Sequence, residues 1–178
     1  MRSTLFVLCC VLSACNVEAT QHDNGDASSG DATPVPDAAP QPPFTALVGV
    51  HSGKCVDVHD SSTADGAEVF LWTCLGTANQ QWMLVPMGDG TVSVVVHHSG
   101  KCLDLRGGQL ENGAAIEQWT CLGNANQRWI VAQIDAGSFA LLSAVSHRCV
   151  DVTGFGTADG SPIAMYDCQY TTNEAWHP

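Results

Sequence analysis

The chain has 178 residues, enough for one domain with some sequence to spare, and its 45% hydrophobic content is sufficient for a buried core. Eighteen Asp and Glu residues outnumber six Lys and Arg residues, which argues against nucleic acid or an anionic membrane surface as the ligand, because either would require a basic patch. Nine cysteines are too many for an ordinary cytosolic protein of this size and indicate an oxidising compartment.

The N-terminus has the pattern of an export signal. Arg2 precedes the apolar run 5–12, which is far shorter than the ~20 residues that span a bilayer, so residues 1–14 are predicted to be a signal peptide. The Leu-Ser-Ala-Cys sequence that ends at Cys15 resembles the bacterial lipoprotein box, in which the cysteine carries fatty acyl chains such as palmitate. The resemblance predicts an exported, lipid-anchored protein. It favours the outer membrane or cell surface, because Asn16 is not the Asp of the inner-membrane retention signal. Ordinary secretory cleavage with an incidental Cys15 is the alternative.

The segment after the predicted lipid is dominated by Ala, Asp, Ser, Gly and Pro. Large apolar side chains almost vanish from it, and its acidic residues meet no Lys or Arg. Such a segment cannot bury enough surface to offset the entropy of ordering it. Residues 15–43 are therefore predicted to be a disordered, partly extended tether, and residues 44–178 to be the folded domain.

The rest of the chain consists of one sequence unit that is repeated three times. Trp82, Trp129 and Trp176 follow one another at intervals of 47 residues, each at the end of an Asn-Gln-x-Trp sequence that reads Asn-Glu-Ala-Trp in the third copy. A fixed period of this size indicates a repeat architecture. Two further features keep the same register. They are the Cys-x-Asp segments 55–57, 102–104 and 149–151, and the turn pairs Asp65-Gly66, Asn112-Gly113 and Asp159-Gly160, which are typical of tight turns with positive φ.

Each unit offers about four short strands separated by Gly, Asn, Asp or Ser turns, and no long stretch has a helical period. This predicts an all-β fold of about twelve strands. Because a hairpin alone is marginal in water, three equivalent units should close around a shared core, with Trp82, Trp129 and Trp176 pointing into it. Only two residues follow Trp176, so closure is expected to be weakest in the third unit.

The six cysteines of the repeats fall two per unit, and each pair is 19 positions apart. Whatever pairs in one unit should pair in all, which predicts the disulfides Cys55–Cys74, Cys102–Cys121 and Cys149–Cys168. Each would close a loop of about twenty residues and contribute roughly 3 kcal/mol. The clustered spacings of a zinc site are missing, so no metal and no cofactor is predicted.

A unit with Cys-[Val/Leu]-Asp, an aromatic residue two places before the second cysteine, and Asn-Gln-x-Trp resembles the ricin B-chain-like (QxW) lectin family. The resemblance implies a β-trefoil and up to three shallow carbohydrate pockets, one per unit. A sugar needs a carboxylate for its hydroxyl groups, an amide, and an aromatic platform for its C–H face. The predicted sets are Asp57, Trp72 and Asn79; Asp104, Trp119 and Asn126; and Asp151, Tyr166 and Asn173. Gln80 and Gln127 are expected behind these groups, orienting the Asp.

Departures from the family pattern rank the three pockets. Where the family often has Gln, four places before the second cysteine, the chain has Phe70, Glu117 and Ala164. Because Glu117 keeps a polar group there, the second pocket is ranked first and the first pocket second. Glu174 replaces the Gln of the third copy and would raise the cost of ionising Asp151, so the third pocket is expected to be the weakest.

Two other classes of function were weighed. Glycoside hydrolysis needs two carboxylates about 5 to 9.5 Å apart, whereas no second carboxylate recurs in all three units, and no Ser or Cys nucleophile has a recurring His. An enzyme is therefore not predicted. A trefoil that acts as a protein-interaction or inhibitor module remains the alternative to a monomeric carbohydrate-binding protein.

Overall fold

The computed structural model describes residues 41–178. The predicted signal peptide, Cys15 and the tether up to residue 40 lie outside the described residues. Among residues 41–178 no helix has the length and apolar character needed to cross a membrane.

The described chain is built from strands and short 3₁₀ turns, which confirms the predicted all-β fold. Two kinds of 3₁₀ turn recur: one follows the Cys-x-Asp strand, at His59–Ser61, Arg106–Gly108 and Thr153–Phe155, and the other precedes the core Trp, at Ala78–Gln80 and Ala125–Gln127. The strands are β1 (Thr45–Ala46), β2 (Val48–Gly49), β3 (Cys55–Val58), β4 (Ala67–Trp72), β5 (Gln81–Pro86), β6 (Val92–Val96), β7 (Cys102–Leu105), β8 (Ala114–Trp119), β9 (Trp129–Gln133), β10 (Phe139–Ser143), β11 (Cys149–Val152), β12 (Ile163–Tyr166) and β13 (Trp176–His177).

The three repeats pair in the same way, as a β-trefoil requires. Each Cys-x-Asp strand forms an antiparallel hairpin with the strand that ends at the pocket aromatic: β3 with β4, β7 with β8, and β11 with β12. The second strands of these hairpins also meet one another, β4 with β8 and β8 with β12. The fold is thus the predicted β-trefoil.

The ends of the domain close the third repeat against the first. β13 is only two residues long, and it pairs with β2 through Trp176 opposite Gly49. β1 pairs with β5 through Thr45 opposite Trp82. The short third copy therefore still joins the sheet, although with fewer paired residues than β5 or β9 provides.

The core is organised by the three repeated tryptophans, as predicted. Trp82, Trp129 and Trp176 have no solvent-exposed surface. Each indole N–H donates to a backbone carbonyl of the Cys-x-Asp strand of its own repeat, at 2.9, 3.1 and 3.2 Å. That carbonyl belongs to the residue just before the Asp of the Cys-x-Asp segment. The core Trp therefore fixes the strand that carries the pocket carboxylate.

Three disulfides join the pairs expected from the repeat, Cys55–Cys74, Cys102–Cys121 and Cys149–Cys168. Each links the start of the strand that carries the Asp to the segment just beyond the pocket aromatic. The bond therefore ties together the two walls of each pocket. Three disulfides also indicate an exported protein.

The turn pairs have a role that the sequence interpretation missed. Only their glycines have positive φ, for example 84° at Gly66. The side chain before each glycine binds a residue of another repeat. The Asp65 carboxylate accepts a hydrogen bond from the Thr120 backbone N–H at 2.7 Å and another from Lys101 Nζ at 2.6 Å, both in the next repeat. These bonds, of which the one from Lys101 has the largest effect, lower the pKa of Asp65. Asp159 makes the same contacts with the first repeat.

Candidate functional site

The first pocket is built around Asp57 at the end of β3. Asn79 and Gln80, from the 3₁₀ turn before β5, each donate to its carboxylate. Asn79 Nδ2 lies 3.0 Å from Asp57 Oδ1, and Gln80 Nε2 lies 2.7 Å from Oδ2. Burial raises the pKa of Asp57, and the hydrogen bonds from Gln80 and Asn79 act against that rise. The carboxylate is thus held in one orientation with lone pairs to spare.

Gln80 also fixes the loop that follows the pocket aromatic. Its Nε2 donates to the Thr73 carbonyl at 2.9 Å, and its Oε1 accepts from the Leu75 backbone N–H at 2.7 Å. With 1% of its surface exposed, Gln80 does not reach solvent. The geometry matches the supporting position expected for this residue.

Aromatic side chains form the other wall of the first pocket. Trp72, at the end of β4, is 38% exposed, and its ring centroid lies 5.8 Å from that of Phe70. His59 meets Phe70 edge to face at 5.1 Å. These residues and Leu75 surround a cavity of about 270 Å³ that is open to solvent, so the first pocket has a polar floor and an apolar wall.

The second pocket repeats the same amide network around Asp104. Asn126 Nδ2 lies 2.7 and 2.8 Å from the two carboxylate oxygens, and Gln127 Nε2 lies 2.8 Å from Oδ2. Gln127 also binds the Thr120 carbonyl at 2.9 Å and the Leu122 N–H at 2.7 Å. Trp119 is 38% exposed and lines a cavity of about 210 Å³.

Glu117 lies inside the second pocket, opposite Asp104 in the β7–β8 ladder. Arg106 Nε donates to its Oε2 at 2.5 Å, so this buried carboxylate has a counter-charge. Burial raises the pKa of Asp104, hydrogen bonds from Gln127 and Asn126 lower it, and Glu117 adds a smaller rise. The second pocket therefore offers a polar side wall where the first offers Phe70.

The third pocket keeps the framework and loses one donor. Asn173 Nδ2 donates to Asp151 Oδ2 at 2.6 Å. Glu174 Oε2 accepts the Gln169 and Tyr170 backbone N–H groups at 2.9 and 2.6 Å, which reproduces the acceptor half of Gln80. A carboxylate cannot reproduce the donor half, so Asp151 lacks the second hydrogen bond that Asp57 and Asp104 receive.

The lost donor changes the electrostatics of Asp151. Burial raises its pKa from 3.8 to about 6, the Glu174 carboxylate contributes to the rise, and the hydrogen bond from Asn173 opposes it. Tyr166 and Phe155 line this pocket, whose cavity of about 420 Å³ is the largest of the three. The third pocket is open like the other two, but the carboxylates of Asp151 and Glu174 place two like charges close together in it.

The structure brings together each predicted Asp, Asn and aromatic set at its own cavity. The three Asp residues line three separate pockets, as the repeat implied. The sequence interpretation did not identify several rim residues: His59, Leu75, Leu122 and Phe155. The loops after Asp57 and Asp151 supply His59 and Phe155. In residues 41–178 no cluster of three or more His, Cys, Asp or Glu side chains is arranged to hold a metal ion.

Comparison with known proteins agrees with the β-trefoil fold. A family model described as ricin-type beta-trefoil lectin domain-like matches residues 41–119 and 107–166. The chain belongs to this lectin family. The designed three-fold symmetric protein ThreeFoil is 36% identical, with a TM-score of 0.74, over 75% of this chain and 96% of that one.

Two further similarities cover small parts of larger proteins. The exo-beta-1,3-galactanase of Clostridium thermocellum is 33% identical with a TM-score of 0.75, over 79% of this chain but 30% of the galactanase. In Serine protease 1 of Rarobacter faecitabidus, 36 residues are 53% identical, and they span 20% of this chain and 7% of the protease. This chain is thus similar to one part of each of two much longer proteins.

Proposed function

We propose that this protein binds carbohydrate through the pockets around Asp57, Asp104 and Asp151 and performs no catalysis. The observation that carries the proposal is the repeated arrangement of a buried carboxylate, held by amide donors, beside a partly exposed aromatic ring at an open cavity. Fold alone would not require a 38% exposed tryptophan at the same place in two repeats. The lectin family gives the arrangement its ligand class.

The chemistry of such a pocket follows from its two walls. Each oriented carboxylate retains acceptor positions for the O–H groups of two adjacent hydroxyls, while Asn79 or Asn126 lies within reach of the same hydroxyls. The indole of Trp72 or Trp119 offers its face to the C–H surface of the ring. Gln80 and Gln127 support binding by holding the carboxylate and the loop, without contacting the sugar.

The second and first pockets are proposed as the main sites. Both have the complete amide network and a half-exposed tryptophan. Glu117 would add a polar contact in the second pocket, whereas Phe70 would add an apolar one in the first. A single shallow pocket binds weakly, so several pockets on one rigid body gain affinity for a polymeric glycan through effective concentration.

A glycan array with the purified full-length protein tests the proposal. Galactans deserve particular weight, because a similar domain is part of a beta-1,3-galactanase, and xylans and animal glycans complete the set. Binding above background to at least one glycan family, lost in an Asp57→Ala/Asp104→Ala double variant that still folds, is the expected result. An empty array across all three classes would contradict the proposal and favour a protein-interaction module.

We further propose that residues 1–14 are removed on export and that Cys15 carries the lipid. Residues 15–43 would then tether the lectin domain, residues 44–178, to a bacterial membrane. Several acyl chains, at about 0.8 kcal/mol per buried CH₂, suffice for stable attachment. Cys15→Ala should move the protein from the membrane fraction to the soluble fraction, and unchanged fractionation would exclude the anchor.

A further inference from the structure

The third pocket differs from the other two in charge and in its aromatic walls. Its lining includes the carboxylates of Asp151, Asp167 and Glu174, and no Lys, Arg or His. In the second pocket, by contrast, Arg106 neutralises Glu117. Arg148 pairs with Asp167 at 3.0 Å outside the cavity lining, which leaves Asp151 and Glu174 without a cationic partner among the described residues.

Two carboxylate oxygens in this pocket are not used by the protein. Asp151 is 7% exposed and Glu174 is 2% exposed, yet Asp151 Oδ1 and Glu174 Oε1 receive no hydrogen bond from any described residue. His98 Nδ1 is the only unpartnered side-chain polar atom sealed from solvent in residues 41–178, so the two oxygens keep access to the cavity. A buried carboxylate with an unused oxygen needs a proton or a cationic ligand.

Aromatic rings face the same cavity. Tyr166 occupies the position of Trp72 and Trp119, and Phe155 is a second aromatic wall that neither other pocket has at this place, where Ser61 and Gly108 stand. Phe155 is 49% exposed and packs edge to face against His51 at 5.2 Å. Aromatic faces attract cations, most strongly where water is partly excluded. The pocket thus combines ring faces with carboxylates that lack a counter-charge.

We propose that the third pocket binds a sugar that carries a protonated amino group, such as a 2-amino-2-deoxyhexose or a polymer of it. This inference rests on the proposed carbohydrate binding and adds a ligand class that the other two pockets do not select. The sugar ring lies against Tyr166, and its ammonium group donates to Asp151 Oδ1 with Glu174 behind it. N-acetylation removes the charge, so an N-acetylated sugar loses the contact.

Site-resolved NMR titration of the full-length protein tests the inference. The probes are glucosamine and galactosamine, each compared with its N-acetylated form and with glucose or galactose, at pH 7. The backbone amides of Gln169 and Tyr170, which donate to Glu174, report the third pocket, and the indole N–H signals of Trp72 and Trp119 report the other two. One charge-assisted hydrogen bond to Asp151 supports a preference of about tenfold for the amino sugar in the third pocket.

Exchanged variants separate charge from shape. Glu174→Gln should abolish the preference for the amino sugar, and Gln127→Glu should create one in the second pocket. If either variant fails to fold, the wild-type protein still decides, because added salt should weaken amino-sugar binding in the third pocket and leave neutral-sugar binding elsewhere unchanged. An amino sugar that shifts all three pockets equally would show general attraction to the chain's net charge of −12 and overturn the inference.

The two proposals fail in different ways. If neutral sugars shift Trp72 or Trp119 while amino sugars have no preference for the third pocket, only the further inference is wrong. If no sugar shifts any of the three pockets and the glycan array is also empty, the proposed carbohydrate binding is wrong as well.

Discussion

The second and third pockets are built on equivalent hairpins, β7–β8 and β11–β12, and one of the differences between them is a buried side chain behind the pocket Asp. Gln127 donates to Asp104 and accepts from the loop after the disulfide, whereas Glu174 only accepts. Both side chains are almost fully buried, and both hold their loop. The comparison shows that the two functions of this side chain are separable. Its oxygen holds the loop in both repeats, and only the amide N–H of Gln127 can hold the pocket Asp.

Gln127→Glu is expected to have the largest effect, because it places the third pocket's charge pattern in the second. The change removes a buried hydrogen bond to Asp104 and adds a like charge beside the Asp104 carboxylate, so the free energy of unfolding at pH 7.5 should fall by about 2–3 kcal/mol. Urea denaturation measures the change. The control is the same variant measured at pH 4, where the loss relative to the original chain should be smaller because carboxyl groups are closer to neutral. Equal losses at pH 7.5 and pH 4 would mean that charge contributes nothing.

Glu174→Gln should have a smaller effect of opposite sign. Restoring the donor should raise the free energy of unfolding at pH 7.5 by about 1–2 kcal/mol. The same variant should reduce a pH dependence of stability. Asp151 has a pKa of about 6 against an ordinary 3.8, so the folded state binds its proton more tightly. The stability that this proton provides is fully present below pH 3.8 and is lost as the pH rises through 6.

The pH dependence is checked by denaturation of both proteins between pH 4 and pH 8. Glu174, Asp167 and Tyr166 are the other titratable groups that line the cavity with Asp151. Burial also raises the pKa values of Asp57 and Asp104, and these residues are common to both proteins. The difference between the two curves therefore reports the third pocket, and parallel curves would contradict the proposed coupling.

Trp119→Ala should change binding more than stability. Loss of the platform should weaken sugar binding at the second pocket about tenfold, while the 38% exposure of Trp119 predicts a nearly unchanged thermal midpoint. Tyr166→Ala is the matched change in the third pocket and should leave binding at the second pocket intact. A thermal midpoint that falls as far as in Trp129→Ala would place Trp119 in the core.

The sequence predicted much of the fold because the repeat constrains it three times over. The 47-residue period identified the core tryptophans and the disulfide pairs, whereas the Asp and Asn of each pocket came from the family resemblance. The supporting position of Gln80 also came from the family resemblance. In the structure, the side-chain amide of Gln80 makes three hydrogen bonds: it donates to Asp57 and to the Thr73 carbonyl, and it accepts from the Leu75 N–H.

The features that were not predicted depend on which segments of the chain meet in space. Asp65 binds Thr120, which lies 55 residues away in the next repeat. Arg106 pairs with Glu117 because the 3₁₀ turn after β7 places its side chain next to β8. Phe155 lines its pocket from a left-handed backbone conformation, with φ of 57°, that a Phe rarely adopts. Single-residue identity in the turns after β7 and β11 decides the Arg106 and Phe155 contacts. The Asp65 contact recurs at Asp159, but it joins neighbouring repeats, and the spacing of the motifs alone does not show which segments meet.

The most direct measurement is the NMR response of the five tryptophan indoles to a glycan identified on the array. Trp72 and Trp119 line pockets, whereas Trp82, Trp129 and Trp176 are fully buried. Binding as proposed shifts the first two indole N–H signals with saturation and leaves the three core signals in place. A glycan that binds without moving either Trp72 or Trp119 would contradict the account.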